Sequence, residues 1–446
     1  MKTNRFHALL CTAVVVSLFA SHGNAGFNNG IQQAVGGVSV DAAGVVANST
    51  VDDLNKLRQL RVEAQSPVPE GMGDKVVLRK VSLKRLAAEL KKHVEADKKL
   101  PDDIRYLSGL QRIRYVFVYP EENDIVLAGP AEGWKIDEMG NVCGKTTGAP
   151  VLHLEDLLVA FRAAEDLAGG RVTCSIDPSK EGMARLLQWI KAQDGRLNND
   201  AQTAAASIEQ TLGPQNITFS GIDASTRFAR VLFAADFRMK RLAMGFERSP
   251  VPGLKSFLEM AAGGDMFPRW WLTTNYDALL KSEDALAWEI RGQGVKAMTE
   301  SSFFQANGAR DKNAKVDPIA KRWADTMTKH YDELADATPV FNELRNVMDL
   351  AVVVALIQKE DLAGKADFDM SALTSPTVPM VQLNPPKTVP TQASFIKKAS
   401  KTILSASGGV EIRPAQALEN IEMSKSLAPI RQQSSADATN WQWWWN

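Results

Sequence analysis

Two hydrophobic periods alternate between residues 73 and 362, and that alternation restricts the chain to an α+β fold. Residues 75–81 are a valine-rich run of strand type. Ser82 then stands where it can cap a helix whose Leu83, Leu86, Ala87, Leu90 and Val94 share one face. Residues 113–119 and 125–128 flank a Pro-Glu-Glu-Asn-Asp turn, the clearest hairpin signal in the chain. Further strand-type runs at 171–176, 216–220, 269–273, 285–290 and 295–299 are interleaved with helical stripes at 154–167, 179–192, 226–245, 318–335 and 339–359. The last two strands read as a meander turning at 291–294. The 226–245 helix has Phe228, Val231, Leu232, Ala235, Met239, Leu242 and the following Phe246 on one face and Phe233 and Phe237 on the other, so burial on both flanks is expected. Thr338 and Pro339 make a standard start for the 339–359 helix.

These patterns predict one large α+β domain over 73–362, a mixed β-sheet covered by helices, followed by an extended C-terminal segment. Residues 26–72 read as a low-order leader with one short helix near 51–62. After residue 363 the prolines 376, 379, 385, 386 and 390 interrupt any regular element. A small hairpin is expected over 402–412, turning at Gly408 and Gly409. Residues from 428 onward read as a disordered tail apart from their tryptophans.

The N-terminus constrains location. Lys2 and Arg5 precede an apolar run over 8–20, and Gly23, Asn24 and Ala25 follow it. This is the order of a secretory signal peptide, with cleavage expected after Ala25 and an exported, periplasmic or envelope destination. The run is too short for a comfortable bilayer span. The most apolar later stretch, 347–357, is interrupted by Asp349 and suits a buried helix, so no transmembrane span is expected after processing. Charge is balanced at 52 basic and 52 acidic residues, which offers no footprint for nucleic acid.

After the signal segment only Cys143 and Cys174 remain. In an oxidising compartment one disulfide between them is the expected reading and two separate buried thiols the alternative, although spacing alone does not decide. Residues 140–146 (GNVCGKT) imitate a phosphate-binding loop, but the glycines stand too close together and Gly148 and Pro150 displace the helix that must follow. His93, His153 and His330 share no metal-ligand spacing, so no metal is expected, and no cofactor. His330 falls on the face of Trp323, Met327 and Tyr331 and reads as core-facing. Ser394 and Lys397 form an SxxK string without its companion motifs.

Asp236 and Lys240 stand four apart on the largely buried 226–245 helix, with Arg238 between them. They read as a helix-stabilising ion pair. The alternative is a carboxylate-based site on a cleft floor, with Asp236, Lys240 and Arg238 as its weak catalytic candidates. Trp441, Trp443, Trp444 and Trp445 crowd the C-terminus, where they can meet a membrane interface, stack on a sugar, or have no role.

Longer strings carry a resemblance. Residues 106–110 (YLSGL), 113–120 (IRYVFVYP), 124–134 (DIVLAGPAEGW), 227–230 (RFAR), 235–245 (ADFRMKRLAMG), 268–271 (PRWW) and 295–300 (VKAMTE) together resemble an uncharacterised family of exported planctomycete proteins, a domain of unknown function. The likeness spans about residues 75–360. It implies export and a single extended domain, and it supplies no activity or catalytic residue. The sequence therefore favours a non-enzymatic envelope or periplasmic binding or structural protein with unknown partners. The alternative is a hydrolase-like enzyme centred on Asp236.

Overall fold

The structure, a computed structural model, describes residues 38–48, 56–192, 201–260, 267–300, 315–395, 402–403, 405–436 and 442–446. The expected signal segment, cleavage after Ala25, Lys397 and Trp441 lie outside them. In the first part the chain forms β1 (Val38–Val40), β2 (Val46–Asn48), α1 (Lys56–Ala64), β3 (Val76–Ser82), α2 (Leu83–Glu95) and α3 (Asp102–Arg105). Next come β4 (Tyr115–Tyr119), β5 (Asp124–Ala131), β6 (Trp134–Ile136), β7 (Val142–Gly144), α4 (Leu154–Arg162) and α5 (Ala164–Gly169). The middle contains β8 (Val172–Pro178), α6 (Lys180–Ala192), α7 (Ala201–Leu212), β9 (Gln215–Ser220), α8 (Arg227–Ala243) and α9 (Phe257–Met260). Then follow β10 (Arg269–Asn275), β11 (Leu279–Lys281), β12 (Ala287–Glu289), β13 (Gly294–Glu300), α10 (Pro318–Lys329), α11 (Tyr331–Ala337) and α12 (Pro339–Lys359). The last part supplies α13 (Leu362–Ala366), α14 (Ser371–Thr374), β14 (Thr388–Val389), β15 (Ser394–Phe395), β16 (Thr402–Ile403), β17 (Ser407–Ile412), α15 (Pro414–Ala417), β18 (Ile421–Met423), α16 (Leu427–Ala436) and β19 (Trp444–Trp445).

The fold is α+β with mixed sheets, as the two periods require. Seven strands run in the order β18-β11-β12-β4-β5-β3-β19 and six in the order β13-β10-β17-β8-β9-β14. Within them only the β11–β18 and β10–β17 pairs are parallel. The β4–β5 hairpin sits where its turn residues put it, with Phe117 opposite Val126. Ser82 caps α2 by accepting from Arg85 N at 3.1 Å, and Asp124 of the hairpin accepts from Lys84 N at 3.0 Å. Two orphan amides of one helix are thus satisfied, one from each side.

Helix α12 is buried from Val340 to Ile357 and packs on α4, α5 and α8. Its one acid in the apolar run, Asp349, is gripped by Arg112 through Nε (2.9 Å) and Nη2 (3.0 Å), and Tyr276 donates to it at 2.8 Å. A bidentate guanidinium plus a phenol leaves the buried charge with compensation on both oxygens. Under β10, Trp270 packs 4.6 Å from Trp323 and 5.1 Å from Phe257, and its indole donates to Ala320 O. That arrangement buries large apolar area without orphaning the N–H.

Three expectations change. Residues 291–294 do not turn a meander: Ile290 N still donates to Arg114 O beside β4, while Gly294 already pairs with Asn275 of β10, so the chain crosses from one sheet to the other. Residues 38–48, assigned to the leader, form a hairpin closed by Asp41, which accepts from Ala43 N and Val45 N at 2.9 Å. Gly408 and Gly409 do not turn a hairpin either. They lie inside β17, the strand that joins β10 to β8 at the centre of the six-stranded sheet. Gly408 has φ +123°, and a Cβ there would overlap the carbonyl oxygen of Trp270; one at Gly409 would overlap that of Cys174. Such close backbone approach is the other meaning of a strand glycine.

The tail is ordered too where it is described. Trp444 and Trp445 pair antiparallel with Val81 and Lys80 of β3, and Ser82 N donates to Trp443 O at 2.9 Å. Trp444 faces the main core and lies against the Arg79 guanidinium at 5.3 Å. Trp445 faces the opposite way, into a cluster of Phe117, Tyr119, Leu427 and Ile430 under α16. Strand alternation has put consecutive indoles on the two faces of one sheet. Trp444→Ala is expected to cost about 3 kcal/mol, the low end for a buried tryptophan. Urea denaturation measures it, and a cost below about 0.5 kcal/mol, the range of a surface change, would contradict this packing.

Candidate functional site

Thr226 caps α8 by accepting from Ala229 N at 3.2 Å, and the helix then runs between the six-stranded sheet and α12 with only its Arg238 and Arg241 shoulder near solvent. Asp236 has no exposed surface. Lys240 Nζ donates to its Oδ2 at 2.7 Å and to the carbonyls of Ile176 and Gly408 at 3.3 Å. Asp236 Oδ1 has no partner. Burial pushes the carboxyl up to about 6, and Lys240 draws it back only in part. Arg238 takes no part. It pairs with Glu247, which Arg241 also holds at 2.6 Å.

A cavity of about 30 Å³ opens beside this pair, bounded by Lys240, Gln215, Phe237 and Ser405 but not by Asp236. That is room for a water or two. A general base must lie within hydrogen-bond reach of the proton it removes. The structure thus brings Asp236 and Lys240 together, as the sequence indicated, with the carboxyl fully buried beside a small cavity.

The phosphate-loop look-alike holds an anion of its own. Thr146 N and Thr147 N donate to the Glu132 carboxylate at 2.9 and 3.0 Å, and Gln111 Nε2 adds a third contact at 2.8 Å. Burial raises the Glu132 carboxyl, but the bonds from Thr147 and Thr146 outweigh it and bring it down to about 2. A Cβ at Gly144 would overlap Glu132 Oε1, which explains that glycine.

Cys143 and Cys174 are free, buried thiols, so the expected disulfide is not formed. Cys143 lies in the β6–β7 hairpin opposite Lys135, and Cys174 in the six-stranded sheet between Val410 and Phe219. Burial pushes the Cys143 thiol up to about 11 and the Cys174 thiol well above its ordinary value, so neither is an activated nucleophile. His330 is not core-facing; it ends α10 and meets Glu333 at 3.1 Å. His93 contacts the Glu89 carbonyl. Among the described residues no three His, Cys, Asp or Glu side chains gather as a metal site. No described helix is long and apolar enough to cross a membrane.

A cluster that the sequence did not reveal lies at the start of α8. Arg227, buried, donates through Nη1 to Asp156 of α4 and through Nη2 to Glu343 of α12 at 2.7 Å. The other oxygen of each acid, Asp156 Oδ1 and Glu343 Oε2, has no partner. Burial raises both carboxyls while Arg227 lowers them. His153, edge-on to Tyr106 at 5.4 Å, is held well below its ordinary value by burial and by Arg227 and Arg105, and so is neutral. The two acids that Arg227 holds lie 71 and 116 residues from it in the sequence, and no local pattern announces that.

A groove of about 470 Å³ opens between the α4–α5 junction, the turn into α8 and the 375–383 segment. Its rim combines Arg162, Asp166, Asp223 and Gln382 with the apolar Val159 and Met380. Residues 174–257 match a family described as a protein of unknown function, DUF1598. The chain carries that domain. It runs from Cys174 in β8 to Phe257 at the start of α9 and contains Asp236, Lys240, Arg227 and the groove wall at 221–226. Compared with curated proteins and with solved structures, the chain matches none.

Proposed function

We propose that the protein is exported and acts in the periplasm or cell envelope as a non-enzymatic binding protein. Support for export comes from the charged, apolar and small-residue order of residues 1–25 and from the resemblance to exported planctomycete proteins. The observation that carries the binding reading is a contrast between two sites. The Asp236–Lys240 pair lies beside only about 30 Å³ of space, whereas the 470 Å³ groove is of ligand size and its polar groups include no activated nucleophile. An acid sealed by its own lysine favours a structural role.

Turnover tests the reading. Wild-type protein and Asp236→Asn are assayed against chromogenic esters, phosphates and glycosides, with circular dichroism as the check on folding. No turnover that depends on Asp236 is expected. Hydrolysis lost in a folded Asp236→Asn variant would replace this reading with the hydrolase. Mass spectrometry of cell fractions tests the address: a chain beginning at Gly26 in the envelope is expected, and an intact N-terminus in the cytoplasm contradicts export.

A further inference from the structure

We propose that the 470 Å³ groove beside the start of α8 binds a small zwitterion carrying both a carboxylate and an ammonium group, an amino acid or a short free peptide. The inference rests on the binding reading above and gives it a ligand class. Arg162 supplies the first half of the argument. Its Nη1 reaches Met380 Sδ at 3.3 Å and its Nη2 the carbonyls of Ser375 and Val378, all uncharged. Its Nε is buried without a partner, and burial lowers its pKa with no acid to oppose the shift. A half-buried guanidinium without a counter-charge is a site for an anion.

The second half is Asp166. It stands four residues after Arg162, the spacing at which opposite charges ordinarily pair on a helix. They do not pair here, because the helix breaks between them: Ala163 ends α4 and starts α5. Both residues line the groove. Across from them Asp223 spends Oδ1 on Ser225 N and Oγ at 2.8 and 2.7 Å, and no hydrogen bond or ion pair among the described residues engages its Oδ2. The groove therefore holds, at the α4–α5 junction, a cation and an acid that do not pair, and a second acid at the turn into α8. A molecule with both charges satisfies the set, and Val159 and Met380 offer apolar contact to its side chain. A simple anion would meet two like charges, and a simple cation would leave Arg162 as it is.

Isothermal titration calorimetry on the full chain tests this with four probes: glycine, glycylglycine, N-acetylglycine and glycinamide. Glycine or glycylglycine is expected to bind, and each singly charged analogue about tenfold more weakly, the loss of one charge-assisted contact. A preference for glycine points to free amino acids and the reverse to peptides; either supports the proposal. Asp166→Asn, whose side chain makes no hydrogen bond or ion pair among the described residues, is expected to weaken the zwitterion by about the same factor and leave the melting temperature unchanged. Arg162→Gln tests the carboxylate end, with melting temperature reporting on the 375–378 carbonyls it also holds. No heat from any probe at millimolar concentration, or equal binding by wild type and Asp166→Asn, overturns the proposal. The binding-protein reading fails separately, by Asp236-dependent turnover, so the two failures cannot be confused.

Discussion

Arg227→Met is expected to bring the fold to the edge of stability at pH 7, with a loss of about 4 kcal/mol or more out of the roughly 5–15 that hold a domain together. The substitution is close in length and apolar, so packing changes little. What changes is charge. Asp156 and Glu343, both buried, lose the single cation they share, and their second oxygens have no partner to fall back on. Each acid must then take up a proton or stay ionised in the interior. The folded-state pKa values, already raised by burial with Arg227 opposing, rise further above their unfolded values of 3.8 and 4.5. Groups with raised pKa values add stability below the unfolded value and lose it as pH climbs through the folded value. The variant should therefore be distinctly more stable at pH 5 than at pH 7. Adding Asp156→Asn and Glu343→Gln should restore most of the loss and abolish the new pH slope. Denaturation curves at both pH values read all of this. A folded Arg227→Met with wild-type stability at pH 7 would mean the cluster does not carry the charge balance assigned to it.

That cluster also shows where reading a sequence stops. Local signals were legible because their physics is local. The hairpin over 115–131 is set by a five-residue turn, α2 by Ser82, and α12 by twenty apolar-rich residues after a proline. The ion pair at Asp236 and Lys240 was legible for the same reason, being one helical turn. Its weight was not. Whether such a pair is worth tenths of a kcal/mol or several depends on burial by β8 and β17, and β17 brings Gly408 from 168 residues downstream. β17 itself was hidden because Gly408 and Gly409 serve close approach to Trp270 and Cys174, and the same dipeptide ordinarily marks a turn. The Trp-rich end was misread on comparable grounds. Two residues are too short to show a strand period, and the pairing with β3 spans most of the chain. Arg162 and Asp166 do stand at a readable spacing, but only the helix break at Ala163 turns them from an ion pair into separate charges lining one groove.

Removing Asp236 alone is expected to cost about 3–5 kcal/mol, far above a surface helix pair, because it leaves Lys240 inside the protein with only two carbonyls at 3.3 Å. The decisive comparison is a cycle of Asp236→Ala, Lys240→Met and both together. The double variant lacks both charges and should be more stable than Asp236→Ala by about 2 kcal/mol, a reversal that cavity formation alone cannot produce. The pH dependence gives an independent reading. Asp236 is pushed up to about 6 by burial, against 3.8 when unfolded, with Lys240 opposing the shift. A raised acid contributes stability that is complete below 3.8 and disappears as pH rises through 6. Wild-type protein should thus gain stability between pH 7 and pH 5, no more steeply than about 1.4 kcal/mol per pH unit, the limit for one proton. The Asp236→Ala variant should lose that part of the slope. Retention of it would place the titrating group elsewhere, with Asp156 and Glu343 the next acids to replace. The same raised value would serve a general acid at neutral pH, so the pKa does not separate structure from catalysis. Access does, and here the carboxyl is closed over by the lysine that neutralises it.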